Sequence, residues 1–148
     1  QESRFSMGAV SSRGATGLMQ VLPSTARHYG IDDVFNPDNN IHAGVSHLKY
    51  LQKIFVSMGM SQEEIINFTL AAYNAGEGRI QQCIEFARGI GKDPLYWKNI
   101  CESIPYISDP KKYLGEETSI RKFSGKETIK YVEEVLKRFE EYKMSVLP

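Results

Sequence analysis

Net charge is missing from this chain. Its 148 residues carry 18 Lys and Arg against 18 Asp and Glu, so it lacks the basic footprint that holds a nucleic-acid backbone. Long apolar runs are missing too. None approaches the roughly 20 residues of a membrane-spanning helix, and no signal-peptide pattern is present. Strand signals are scarce, with no sustained alternation of apolar and polar residues between hairpin turns. Cysteine is nearly absent. Cys83 and Cys101 fit neither a zinc spacing nor a Cys-x-x-Cys redox pair. A disulfide stays open in an oxidising compartment, while two buried free thiols suit a domain with core enough to need no staple. Acid is almost absent from the opening of the chain, where Glu2 is the only carboxylate before Asp32. Chemistry in that stretch is therefore chemistry of one carboxylate with neutral hydrogen-bonding helpers.

What is present is helical periodicity over the length of one domain. Pro23 suits a first turn, and residues 23–29 read as a short helix stopped by Gly30. The cluster Asn36-Pro37-Asp38-Asn39-Asn40 is a turn able to cap the next helix. Ile41, Val45, Leu48, Leu51, Phe55 and Met58 are spaced for one face of that helix. His42 and His47 lie on it at a spacing that suits structural or exposed side chains better than metal ligands. Ser61 and Glu64 form a capping box for a helix that closes around Asn74 and Gly76. Another helix runs from near Gly78 to the Gly89-Ile90-Gly91 stop. Asp93-Pro94 predicts an N-cap and first turn for a helix carrying Trp97 and Ile100. Residues 105–123 read as a long surface loop. The last helix runs from about Lys126 to Tyr142, burying Ile129, Val132, Leu136 and Phe139, with Glu133 and Lys137, and Glu134 and Arg138, as exposed i,i+4 pairs. No internal repeat, low-complexity tract or linker interrupts residues 1–148.

Three motifs stand out in order. The first is Glu2-Ser3 followed by Ala9-Val10-Ser11 and Gly14-Ala15-Thr16-Gly17-Leu18-Met19-Gln20. The second is Ala71-Ala72-Tyr73-Asn74-Ala75-Gly76, and the third is Glu127-Thr128-Ile129-Lys130-Tyr131-Val132. Singly, each has a plain structural reading: a chain end with turn glycines, a helix terminus with a packed tyrosine, and a capping box between Ser124 and Glu127. As an ordered set they resemble the family 1 lytic transglycosylases, lysozyme-like enzymes that cleave bacterial peptidoglycan. Gly91, Asp93-Pro94, Trp97, Ile104-Pro105, Tyr113 and Tyr131-Val132 extend the resemblance over nearly the whole chain, towards a membrane-bound branch of the family. Ser124-Gly125-Lys126 departs from the family's usual basic-Gly run before the third motif.

The resemblance implies an all-α, lysozyme-like helical domain with a substrate cleft, spanning residues 1–148. Glu2 would be its single catalytic acid/base. Ser11 matches a serine that contacts the substrate N-acetyl group or the acid. Gln20 and Tyr73 would line the glycan cleft with Asn74 in support, and Tyr131 would face it. For Glu127 a cleft role and the Ser124 capping box stand side by side. The partner implied is the peptidoglycan glycan strand in a bacterial periplasm or outer membrane, with no metal, cofactor or nucleic acid. In the family the acid closes a helix, and here that helix has no beginning. The expectation is therefore of missing upstream sequence, with a solute-binding-like domain and membrane anchorage.

The chemistry fits one acid. A glycosidic oxygen leaves poorly unless protonated, so Glu2 must hold a proton near neutral pH, which needs a partly desolvated site. Phe5, Leu18, Met19 and Tyr73 are the residues expected to build it. The sugar's own N-acetyl group can replace a second carboxylate, and deprotonated Glu2 can then take the proton of the C6 hydroxyl. A hydrolytic muramidase and a glycan-binding module without catalysis are the rival readings.

Overall fold

The computed structural model describes residue 4 and residues 6–146; Glu2 and Phe5 lie outside the described residues. Among the described residues there are seven helices and no strand: α1 (Pro23–His28), α2 (Pro37–Ser57), α3 (Gln62–Ala75), α4 (Glu77–Gly89), α5 (Trp97–Ser103), α6 (Pro110–Leu114) and α7 (Lys126–Val146). Two isolated bridges join Thr16 to Val10 and to Val21. The all-α class expected from the sequence is what forms. No helix among the described residues is long and apolar enough to cross a membrane. The chain forms two compact units, Gln1–Tyr50 and Leu51–Pro148, with the division falling inside α2.

In the first unit, α1 starts at Pro23 and ends at His28, with Tyr29 as its C-cap and Gly30 turning next at φ +73°. Val21, Ala26, Ile31, Val34 and Ala43 form its apolar centre, with Met19 and Tyr29 packed against them. The stripe expected for α2 is displaced here. Ile41 and Val45 are 42% and 39% exposed, whereas Asn40 and Ala43 are buried and Gly44 is buried with them. The cause is chemical. The buried line includes a polar amide and a glycine, residues that apolar spacing passes over. Of the two histidines, His42 is exposed, and Nδ1 of His47 lies 3.1 Å from the Tyr29 hydroxyl.

In the second unit, Phe55, Phe68 and Trp97 form an aromatic run. Phe68 stands 5.5 Å from each of the other two, edge-on to Trp97. Side chains of this size contribute about 1.5–3 kcal/mol each on full burial. α3 is the central helix, packed by α7, α4 and α5. Ser61 caps α3 by accepting from Glu64 N. The rest of the expected box goes elsewhere, because Glu64 Oε2 accepts from Trp97 N at 2.7 Å and so caps α5. That changes the expected start of α5. Asp93 is not its N-cap; Oδ1 of Asp93 accepts from Leu95 N at 3.0 Å, and the helix begins at Trp97 with Tyr96 as N-cap.

The expected long loop contains α6, with Pro110 in its first turn and Ile107 buried beside it. Leu114 packs onto Gly89 so closely that a Cβ there would lie 2.6 Å from Leu114 Cδ2. Helix α7 outruns its expected end and buries only Thr128 and Val132 fully. Phe139, expected in the buried stripe, is 59% exposed. The ion pairs formed on α7 include Lys130 with Glu134 and Lys137 with Glu141. Cys83 is a buried free thiol and Cys101 a half-buried one.

Candidate active site

From Ala9 onwards, the first motif folds into a small hydrogen-bonded knot in the first unit. Thr16 and Val21 exchange backbone hydrogen bonds at 3.0 Å, Ser11 N donates to Ala15 O, and Gly17 N donates to Ala9 O. Gly14 and Gly17 take φ of +79° and +74°, the left-handed turns that glycine makes without a Cβ penalty. Gln20 takes φ +48° without that freedom, a conformation that costs about 1–2 kcal/mol for an L-residue.

The knot uses part of Ser11 and part of Gln20 and leaves a definite remainder of each. Ser11 Oγ accepts from Ala15 N at 3.0 Å and from Arg13 N at 3.3 Å. Both acceptor positions of the hydroxyl are engaged, so what Ser11 can offer a substrate is its proton. Gln20 is the converse. Its Nε2 donates to Gly17 O at 2.9 Å and Ala9 O at 3.0 Å, which engages both amide protons. Gln20 can offer its Oε1 as an acceptor. The structure thus brings Ser11 and Gln20 into one loop as a donor and an acceptor. Leu18 and Met19 are half-buried in the same turn.

The second and third motifs meet in the second unit. Tyr73 is half-buried against the apolar core. Asn74, one residue on, lies at the end of α3, where Gly76 breaks the helix at φ +93°. Thr128 Oγ1 donates to Asn74 Oδ1 at 2.9 Å. That bond occupies an acceptor of Asn74 and leaves its two amide protons to be presented. Thr128 is buried, whereas Glu127 beside it is exposed and Tyr131 half-exposed.

Glu127 does not close a capping box on Ser124. The helix begins at Lys126, and Gly125 O accepts the first intrahelical bond from Ile129 N at 3.0 Å. Gly125 therefore holds the N-cap position, and Glu127 sits one residue too early for the box. Gly125 is packed so that a Cβ would meet Ile104 Cδ1 at 2.6 Å and Phe123 Cε1 at 2.7 Å. The segment before α7 is held by Arg79. Its Nη1 donates to Arg121 O at 3.3 Å, and its guanidinium lies 5.3 Å from the centre of the Phe123 ring.

Two contributors, Asn40 and Arg79, escape sequence reasoning, and the role of a third, Thr128, does too, although the third motif includes it. Local spacing makes Asn40 a turn residue, yet it lies buried beneath the first motif, bonded to Thr16 O and Met19 N. For Asn40 a usable signal exists: an amide four positions before Gly44 on α2, aligned with the buried side of that helix. Thr128 and Arg79 act across long sequence separations, and their roles leave no local trace.

Comparison with known proteins gives the family. The family model "Transglycosylase SLT domain" matches residues 1–94, and the chain belongs to that family. It is 33% identical over 136 residues to the membrane-bound lytic murein transglycosylase F of Desulfosudis oleivorans, covering 92% of this chain and 29% of that protein. The enzyme of that name from Maricaulis maris is 33% identical over 135 residues, 91% of this chain and 29% of that protein. The one from Vibrio cholerae serotype O1 is 31% identical over 140 residues, 95% and 26% respectively. The chain thus spans less than a third of the length of these relatives, and the resemblance to the membrane-bound branch is borne out.

Proposed function

We propose that this chain is the catalytic domain of a peptidoglycan lytic transglycosylase. It would cleave the β-1,4 bond between N-acetylmuramic acid and N-acetylglucosamine and leave 1,6-anhydro ends. The observation that carries the proposal is the motif-1 knot. In a stretch matched by the SLT family, one loop holds a hydroxyl left with its proton and an amide left with its oxygen. Such a pair can hold an acetamido group and a sugar hydroxyl without a second charge.

In the proposed reaction Glu2 gives its proton to the glycosidic oxygen as the bond breaks. The acetamido oxygen of the muramic acid attacks C1 and takes the place of a nucleophilic carboxylate. Glu2, now a carboxylate, removes the C6 hydroxyl proton. O6 then attacks C1 and displaces the acetamido oxygen, restoring Glu2–H with no water consumed. Gln20 Oε1 is suited to accept from the acetamido N–H, which gains positive character during that attack. Ser11 is suited to donate to the acetamido oxygen or to the Glu2 carboxylate. Tyr73, Asn74 and Tyr131 are proposed to line the glycan site, with no metal or cofactor required. The relatives' names support a place in the bacterial cell envelope and membrane attachment, and their greater length supports further domains.

A hydrolytic muramidase is favoured by one observation, the exposed Glu127 carboxylate that capping does not use. The test of the proposal is Glu2→Gln assayed on purified sacculi. Release of soluble muropeptides should vanish while the circular dichroism spectrum and urea midpoint stay unchanged, because an amide cannot deliver the proton. Substantial turnover by the folded variant would remove Glu2 from the mechanism.

A further inference from the structure

Asn40 is 1% exposed, and its whole carboxamide is engaged. Nδ2 donates to Thr16 O at 2.7 Å and to Val34 O at 2.9 Å, and Oδ1 accepts from Met19 N at 2.7 Å. Two of these three partners belong to the motif-1 knot. A buried polar group needs all its bonds made, since an unmet one is more costly than a met one is helpful. Here the match is complete in both directions. Only a carboxamide of this length offers two donors and one acceptor in one plane at this reach. Aspartate would keep the acceptor and lose both donors.

The turn that carries Gln20 rests directly on this amide. A Cβ at Gly17 would lie 2.5 Å from Asn40 Nδ2 and 2.7 Å from its Cγ, so the backbone at Gly17 is in contact with the side chain. Gly17 O in turn accepts from both Gln20 N and Gln20 Nε2. The left-handed φ of Gln20 has to be over-determined by its surroundings to persist. The bonds to Thr16 and Met19 hold the turn from below, and the bonds to Gly17 and Ala9 hold the Gln20 side chain.

We infer that Asn40 is a positioning residue for glycan binding: it sets the turn that holds Gln20 with its side-chain oxygen available, without touching the glycan itself. The inference rests on the reading of Gln20 as a glycan contact. It makes the affinity of the first unit depend on a residue of α2 that is buried and not part of any of the three motifs.

A double-mutant cycle tests it. Gln20→Ala, Asn40→Asp and the double variant are assayed for kcat and KM on soluble, uncrosslinked glycan strands. Each single change is expected to raise KM by about three- to tenfold, the size of one lost hydrogen bond. The double variant is expected to be no worse than Gln20→Ala alone, because Asn40 acts through Gln20. KM effects that multiply would overturn the inference. So would a folded Asn40→Asp variant with unchanged KM beside a Gln20→Ala variant with raised KM, which would leave the reading of Gln20 standing. An unchanged KM in Gln20→Ala would instead bring down that reading, and the inference with it. If Asn40→Asp does not fold, amide exchange in the unaltered protein decides. Met19 N–H should be as protected as Val21 N–H. Exchange of Met19 at the rate of an open loop would contradict a turn held by Asn40.

Discussion

Thr128 donates its hydroxyl proton to Asn74 across 2.9 Å, joining the first turn of α7 to the last turn of α3. Thr128 is buried and Asn74 exposed, so the bond is made at the edge of the second unit's core. It fixes which end of the Asn74 amide faces outwards. The second and third motifs, far apart along the chain, are thus one structural feature.

Removing that bond should be measurable as a coupling. Thr128→Val keeps the volume and loses the donor, and Asn74→Ala removes the acceptor. Each is expected to lower stability by about 0.5–1.5 kcal/mol in urea unfolding. The double variant should lose about 1 kcal/mol less than the sum of the two. Strict additivity would mean that the two side chains do not depend on each other.

Glu127→Gln separates the two readings left by the sequence. Because Gly125 occupies the N-cap position and Glu127 stands in the first turn, the carboxylate contributes only through the helix dipole. Its loss should cost at most about 0.3–1 kcal/mol. A fall in glycan binding or turnover well beyond that would place Glu127 at the substrate. Unchanged binding and turnover would leave it a surface residue and weaken the muramidase alternative.

Legibility in the sequence depends on distance along the chain. The start of α1 at Pro23 and the break at Gly76 come from local backbone chemistry, and the structure has both. The buried line of α2 escapes apolar spacing because it includes Asn40, whose burial is explained only by carbonyls 6 and 24 residues away. Glu64 has the look of half a local box, yet its carboxylate serves α5, 33 residues on. Helix α6 has 5 residues, too few to display a period. Apolar spacing in α7 continues to Phe139, but spacing records what a helix offers and not how far the core beneath it extends. Of the candidate site, the motifs are legible and the hydrogen bonds that divide donors from acceptors are not.

The cysteines give a pH prediction. Burial pushes the Cys83 thiol up to about 12 from a usual 9.0, with the Arg79 guanidinium pulling part of the way back. Burial, then the Glu133 carboxylate, raises Cys101 to about 11. The thiolate is the reactive form, so a disulfide reagent at mild alkaline pH should modify Cys101 slowly and Cys83 only on unfolding. The sign for stability comes from linkage. Above about pH 9 the unfolded chain releases the Cys83 proton while the folded chain keeps it. Stability should therefore fall as pH rises towards about 12, by up to about 1.4 kcal/mol per pH unit. Cys83→Ala should lack that part of the fall. Identical alkaline profiles for the two proteins would contradict the buried thiol.

The group that attacks the sugar decides between lytic transglycosylation and hydrolysis. If O6 of the muramic acid attacks C1, no water enters the product. Tethering to the reacting ring gives effective molarities as high as roughly 10⁵–10⁸ M in favourable geometries, enough to outcompete bulk water. The most direct measurement is digestion of purified sacculi in ¹⁸O-labelled water, followed by mass spectrometry of the released muropeptides. Unlabelled 1,6-anhydro ends, one water lighter than the hydrolytic product, are expected. Labelled reducing ends as the main product would mean a muramidase and would contradict attack by O6.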